Sequence, residues 1–261
     1  MKVIAKKSLG QNFLINKDII KKIINCAQIK NKNILEVGPG TGNLTAAIIE
    51  QKPKKIFLIE KDNYLIDELK RTLKYNIKFI NDDILNIKEN KLSNDILTVY
   101  GNLPYNISTK ILTNWISNIN EKFWFDKLIL MFQKEVADRI ISEHNNKNYG
   151  RLSVLVNWKL HVKKIFDIKP NNFKPAPKVD SSLLVFEPKK NFTQFNNNKS
   201  LEIVTRIFFS QRRKKIKKSY FQIFNDKSVA ENLGIDLNLR PQNIDKETFI
   251  SIAKKYDELS R

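Results

Sequence analysis

Between Asn33 and Gln133 short apolar runs alternate with segments of helical period, and this alternation restricts the fold more than any other feature. The runs are NILEV (33–37), IFLIE (56–60), IKFIN (77–81), DILTVY (95–100) and KLILMFQ (127–133). Most are continuously apolar, as strands covered on both faces are. Between them lie STKILTNWISNI and NYLIDELKRTLKY, the latter with Leu65, Ile66, Leu69 and Leu73 on one helical face. Strands alternating with helices predict a parallel, doubly wound, Rossmann-like α/β sheet. A helix is also expected ahead of the first strand. Asn16 is placed to cap KDIIKKIINCAQI, where Ile19, Ile20, Ile23, Ile24 and Ala27 form a stripe and Cys26 is included.

The pattern then changes. NYGRLSVLVNW reads as a helix, followed by HVKKIFDI and SSLLVFEP with only the proline-rich KPNNFKPAPKV (169–179) between them. Without a crossover helix, those two strands predict an antiparallel, hairpin-like pair at the sheet edge. The polar stretch KKNFTQFNNNKS (189–200) marks a boundary, giving domains 1–188 and 189–261, the second small and α-helical.

A hydrophobic content of 41% is ample for a buried core. No run approaches eighteen consecutive apolar residues, so no membrane span is expected. MKVIAKKSLGQNF is basic but lacks the apolar core of a secretory signal, and Cys26 has no second cysteine to pair with. A reduced, cytoplasmic setting is the expectation. The net charge of +20 favours polyanions, nucleic acid before anionic membrane, although a chain rich in Lys, Asn and Ile is basic partly by composition. His144 and His161 have no partners at metal-ligand spacing, so no metal site is expected.

LEVGPGTGNL places Gly38, Gly40 and Gly42 between the first strand and its helix, where backbone must turn sharply near a ligand. Glu60 ends the second strand, where a carboxylate can accept both hydroxyls of a ribose. The spacing is G-x-G-x-G rather than the dinucleotide G-x-G-x-x-G. Asp83, after the third strand, can accept from the exocyclic amine of an adenine. Together these favour S-adenosylmethionine over NAD as cofactor.

The fourth strand runs into GNLPYNIST. Asn102 stands at the strand end, across the topological switch from the glycine turn. If the Asn102 side-chain oxygen accepts one hydrogen of an exocyclic amine and the Leu103 carbonyl the other, the nitrogen is drawn toward a tetrahedral shape. Its lone pair then becomes available to a methyl group in line. Pro104 stiffens the turn and Tyr105 offers a flat face to a base. Such a base has to be flipped out of its stack, and Phe173, on the proline-rich loop, is a candidate for a second stacking face.

With these residues in view the chain resembles the small-subunit (16S) ribosomal RNA adenine N6-dimethyltransferases, the dimethyladenosine transferases. The blocks KSLGQNFL, EVGPGTGNLT, GNLPYNIST, QKEVADRI, YGRLSV, FKPAPKVDS and FFSQRRK carry the likeness, in order, over nearly the whole chain. The resemblance implies a class I S-adenosylmethionine-dependent methyltransferase sheet with a small helical C-terminal domain. It also implies dimethylation of two adjacent adenosines in a hairpin loop near the 3′ end of 16S RNA, on an immature small subunit late in assembly, by a monomer. By motif match Asn12, Leu14, Gly38, Glu60, Asp83 and Asn102 would contact the cofactor. Asn102, Leu103 (by its carbonyl), Tyr105 and Phe173 would hold the target adenine, with Pro104 completing the catalytic turn.

RIFFSQRRKKIKKSYF (206–221) reads as a helix with an RNA-binding face made by Arg206, Arg212, Arg213, Lys214, Lys215, Lys217 and Lys218. Three other readings stand beside the main one: a 23S RNA adenine dimethyltransferase, a non-catalytic nucleic-acid-binding relative, and an NAD-dependent oxidoreductase. The intact NLPYNIST and FKPAPKVDS blocks speak against the first. The absence of a transit peptide speaks against the second, and the lack of a catalytic Lys, Tyr or His motif against the third.

Overall fold

The computed structural model of the chain describes residues 5–6, 9–119 and 121–260. At its centre lie seven strands: β1 (Asn33–Val37), β2 (Lys55–Ile59), β3 (Ile77–Ile80), β4 (Leu97–Gly101), β5 (Phe125–Gln133), β6 (Leu160–Ile168) and β7 (Ser181–Pro188). Their order across the sheet is β3-β2-β1-β4-β5-β7-β6. Pairings from β3 through to β5 are parallel, and β7 runs antiparallel to β5. β1 and β4 are buried along their whole length, which is why their sequences lack polar alternation. The connection between β6 and β7 carries only a 3₁₀ turn, Pro170–Asn172, and the short strand Phe173–Lys174, and it leaves the two as neighbours at the edge, with β7 on the inside.

Register explains why the strand ends converge. Val37 pairs with both Ile59 and Gly101, and Ile59 pairs with Ile80. The residues that follow, Gly38, Glu60, Asn81 and Asn102, therefore leave the sheet in one row. That row lies where chain order reverses, β1 leading to β2 on one side and having β4 on the other, the place where such sheets bind ligands.

Asn16 caps the first helix, Lys17–Ile24, its side-chain oxygen accepting from Asp18 N at 2.9 Å and Ile19 N at 3.2 Å. The helix stops at Ile24, with Asn25 as its C-cap. Cys26 and Ala27 thus lie in the turn beyond it, not in the helix that the periodicity suggests. Ile20, Ile23 and Ile24 join Ile34, Ile48, Ile56, Leu58, Tyr100 and Ile129 in one core cluster.

Contacts group the chain into two compact units, Met1–Leu112 with Lys122–Ala137 and Lys163–Pro188, and Thr113–Glu121 with Asp138–Val162 and Lys189–Arg261. One seam falls at Pro188, where the polar stretch begins; the second unit also takes in 113–121 and 138–162. Within that unit the Phe249 ring stands 5.7 Å from Phe208 and 5.2 Å from Phe209. Buried Asp257 accepts from Ser200 Oγ at 2.7 Å, Asn196 N at 2.7 Å and Asn197 N at 2.9 Å, tying the C-terminal helix Lys246–Leu259 to the start of helix Ser200–Phe209. Lys159 is wholly buried, its ammonium donating to Ile116 O at 3.0 Å and lying 3.8 Å from the Trp158 ring centre. Burial pushes its pKa down to about 8.

The basic stretch is not one helix. Helix Ser200–Phe209 ends within it, after Arg206, turns follow, and only Lys217–Tyr220 is helical again. The reason is where the backbone bonds go. Ile216 N donates to Leu239 O and Lys217 N to Leu237 O, so a neighbouring segment takes the bonds a continuous helix needs, while four successive cations repel along the turn.

Candidate active site

The C-terminal ends of β1 to β5 open into one cleft of about 1190 Å³ including its mouth, room for a nucleoside-sized ligand. Its floor is the glycine turn. Gly38, Gly40 and Gly42 have φ of 69°, 58° and 80°, a region side-chain-bearing residues seldom adopt. A Cβ on Gly40 would lie 2.7 Å from the Phe13 ring, so the turn passes directly beneath Phe13.

Glu60 enters this floor with both oxygens engaged. Gly40 N donates to one at 3.2 Å and Asp62 N to the other at 2.9 Å. Each oxygen keeps a lone pair, which suits a diol. Burial raises the Glu60 pKa above the ordinary carboxyl value, while those two backbone donors pull it back. Asp83 N-caps a short turn, accepting from Leu85 N at 2.9 Å and from Lys61 Nζ at 2.9 Å, and these bonds hold its pKa low.

Glu36 also lines the cleft, a residue that none of the sequence motifs singles out. Its one signal is a lone charge inside an apolar strand. It is 2% exposed, and one oxygen finds no hydrogen-bond partner among the described residues. Burial, helped by the charge of Glu60, pushes its pKa up to about 8. A carboxyl whose folded pKa is raised stabilises the fold fully below its unfolded pKa and loses that contribution as pH rises through the folded one. Relative to a Glu36→Gln variant, the parent should therefore lose stability from about pH 5 to pH 8, at up to about 1.4 kcal/mol per unit. Denaturant titrations of both proteins at several pH values check this; parallel curves would refute it.

Asn102 follows β4 directly. Its amide nitrogen donates to Asn12 O at 2.7 Å, which leaves the side-chain oxygen as the acceptor. Leu103 is buried and Pro104 O accepts Ile107 N at 3.1 Å, closing the turn before helix Ser108–Ser117. The Tyr105 hydroxyl is bonded to Ser181 Oγ, and burial raises its pKa. Asn12 and Leu14 line the same cleft from the N-terminal side. Asn43, not anticipated, donates to Leu14 O at 2.8 Å.

Nine expected residues are thus brought together: Asn12, Leu14, Gly38, Glu60, Asp83, Asn102, Leu103, Pro104 and Tyr105. Phe173 is not among the lining residues. It forms a two-residue strand with Lys174, paired to Phe13 and Leu14, and at 3% exposure it belongs to the core cluster. The basic residues lie in the second unit. Arg206, Arg213, Lys214, Lys215, Lys217 and Lys218 are exposed. Arg212 is half-buried, its guanidinium donating to Lys147 O and, at 2.7 Å, to Tyr149 O.

Comparison with known proteins shows the family and the fold. The family model described as ribosomal RNA adenine dimethylase matches residues 3–258. A protein of Pelagibacter ubique named ribosomal RNA small subunit methyltransferase A is 59% identical, covering 99% of both chains. One of the same name from Wolbachia sp. subsp. Drosophila simulans is 41% identical over 97% of this chain and 93% of its own. Among solved structures, a dimethyladenosine transferase from Plasmodium falciparum superposes with a TM-score of 0.76 at 28% identity, covering 92% of this chain and 95% of that one. The 23S rRNA methyltransferase ErmE gives 0.70 at 21% identity, covering 95% and 100%, a likeness of fold. The chain belongs to the ribosomal RNA adenine dimethylase family and has the fold of class I S-adenosylmethionine-dependent methyltransferases.

Proposed function

We propose that this protein dimethylates N6 of two adjacent adenosines in a hairpin loop near the 3′ end of 16S ribosomal RNA, using S-adenosylmethionine. The observation that carries this reading is the row Gly38, Glu60 and Asn102, with the Asn102 nitrogen tied to Asn12 O so that its oxygen is the free acceptor. S-adenosylmethionine supplies a methyl group on a sulfonium, whose leaving group needs no further activation. The positive-φ glycine turn gives it a cradle without side chains, and Glu60 offers a carboxylate to its ribose. Asp83 stands one strand further on for its adenine amine.

What remains for the chain is to hold the target base. Asn102 Oδ1 and the Leu103 carbonyl take the two hydrogens of the flipped adenine's amine and expose its lone pair. Tyr105, its ring pinned by Ser181, lies against the base. Positioning of this kind supplies most of the acceleration. Asn12 and Leu14 complete the cofactor pocket, and the protein acts as a monomer in the cytoplasm on the immature small subunit. The described residues include no helix long and apolar enough to cross a membrane. The 23S alternative finds support only in a likeness of fold.

Incubating the protein with labelled cofactor and unmodified small subunits, then mapping the label, tests the reading. Label on neighbouring adenosines of the 16S 3′ hairpin is expected; label on 23S RNA, or none, would contradict it. The exposed cations of the second unit are proposed to meet phosphates. Replacing Lys214, Lys215, Lys217 and Lys218 by Gln should flatten the salt dependence of RNA binding by roughly 0.7–0.9 in slope for each phosphate that is no longer neutralised. An unchanged slope would remove them from the interface.

A further inference from the structure

The Asn102 side chain is held by the N-terminal segment, through Asn12 O. An amide can present either its oxygen or its nitrogen to a target amine, and only the oxygen is useful. Turned the other way, two sets of N–H donors would face each other. The bond from Asn102 Nδ2 to Asn12 O selects the useful orientation, so the placement of that one backbone carbonyl matters.

Asn12 lies on an extended segment, and the segment is fastened at two places. Downstream, Leu14 O accepts from Asn43, Leu14 pairs with Phe173, and Ile15 N donates to Asn172 O at 2.9 Å. Upstream, the side chains of Lys6 and Gln11 converge on Asp62. Its Oδ1 accepts from Lys6 Nζ at 2.8 Å and its Oδ2 from Gln11 Nε2 at 3.0 Å, while Gln11 Oε1 accepts Lys6 N at 2.7 Å. The Asp62 side chain is 2% exposed, and its own N–H is held by Glu60 Oε1. Burial pushes the Asp62 carboxyl up, but the bonds from Lys6, Gln11 and Tyr64 outweigh it and hold the group below the usual range. The carboxylate is therefore charged at any pH suited to an assay.

We infer that Asp62 is a positioning residue for methyl transfer: by clasping Lys6 and Gln11 it seats the segment whose Asn12 carbonyl orients the Asn102 amide. This rests on the reading that Asn102 presents its oxygen to the target amine. Asp62 is not among the residues that line the cleft. It acts through the chain Asp62, Gln11, Asn12, Asn102.

Asp62 also N-caps helix Asn63–Thr72, so the informative substitution keeps the cap. Asparagine is as good a cap as aspartate, but it has one acceptor oxygen rather than two and no charge to hold Lys6. The second variant, Lys6→Met, attacks the clasp from the other side. Under single-turnover conditions at saturating cofactor, Asp62→Asn and Lys6→Met should each slow methyl transfer about tenfold, what one positioned hydrogen bond is worth. The double variant should be no slower than the worse single one, because both break the same clasp.

A readout independent of activity follows the side-chain amide of Asn102 by nitrogen-15 NMR, assigned by its loss in Asn102→Ala. In both clasp variants that signal should shift and exchange faster with water as its bond to Asn12 O loosens. Parent-like rates would overturn the inference. So would slow rates with an unmoved amide signal, or an effect confined to the KM for cofactor. If the parent itself fails to methylate small subunits, the reading of the reaction fails instead, and the amide signal still decides whether Asp62 seats Asn12.

Discussion

Asn102→Ala should lower the rate of methyl transfer by at least about 10³-fold, beyond the 10²–10³ typical for removing one preorganised hydrogen-bonding group. The excess is expected because the side chain does two things at once. In the proposed reaction its oxygen accepts a hydrogen bond from the target amine, and its orientation, fixed by the 2.7 Å bond to Asn12 O, sets the angle at which that amine meets the methyl group. Without the oxygen the amine keeps its lone pair in the base, and the amine is a poor nucleophile. Ground-state binding should change little. Asn102 follows a fully buried strand, β4, and the turn behind it is closed by Ile107 N to Pro104 O, neither of which uses the side chain. Calorimetry should give a cofactor affinity within about tenfold of the parent, since at most one neutral hydrogen bond is at stake. A variant that turns over at the parent rate would remove Asn102 from the chemistry. One that loses cofactor binding as well would make its role structural.

The parts of this site that could be read from the sequence are those made by local chemistry at strand ends. Gly38 needs its positive φ where β1 turns, Glu60 terminates β2 and Asn102 terminates β4, and parallel register then sets them side by side. The parts that could not be read are made by contacts between distant positions. Lys6 and Asp62 are 56 residues apart, and Asn43 meets Leu14 across 29; neither pairing has a periodic signature. Phe173 looks exposed in the sequence because it sits among prolines and lysines, but pairing with Leu14 folds it into the core. The basic run has helical spacing, yet Leu237 and Leu239 capture the backbone of Lys217 and Ile216. Arg212 reads as a phosphate ligand from its neighbours' charge, whereas two carbonyls of the 147–149 segment hold it.

Glu60→Ala should weaken binding of S-adenosylmethionine by at least about a hundredfold while leaving RNA affinity near that of the parent. Two hydroxyls on one carboxylate make two charge-assisted bonds, and each contributes about 1.5–3 kcal/mol in a buried site. Alanine also leaves Gly40 N and Asp62 N without the acceptors they have at 3.2 and 2.9 Å, so part of the loss comes from a loosened turn. Glu60→Gln separates the two effects. It keeps one acceptor for the backbone but turns the other oxygen into a donor, and it should cost about tenfold, one charge-assisted bond. The pH dependence gives a sharper test. Burial raises the Glu60 pKa, and a diol binds the ionised form, so cofactor affinity should fall as pH drops through a value above the ordinary 4.5. In Glu60→Gln that dependence should vanish, because nothing at this position titrates. Calorimetric titrations of parent and variant should show a loss of affinity on the acid side for the parent that the variant lacks, while any change near pH 8, where Glu36 titrates, is common to both. Equal acid-side loss in both would place the titrating group elsewhere, and a variant that loses RNA but keeps cofactor would reverse the roles of the two sites.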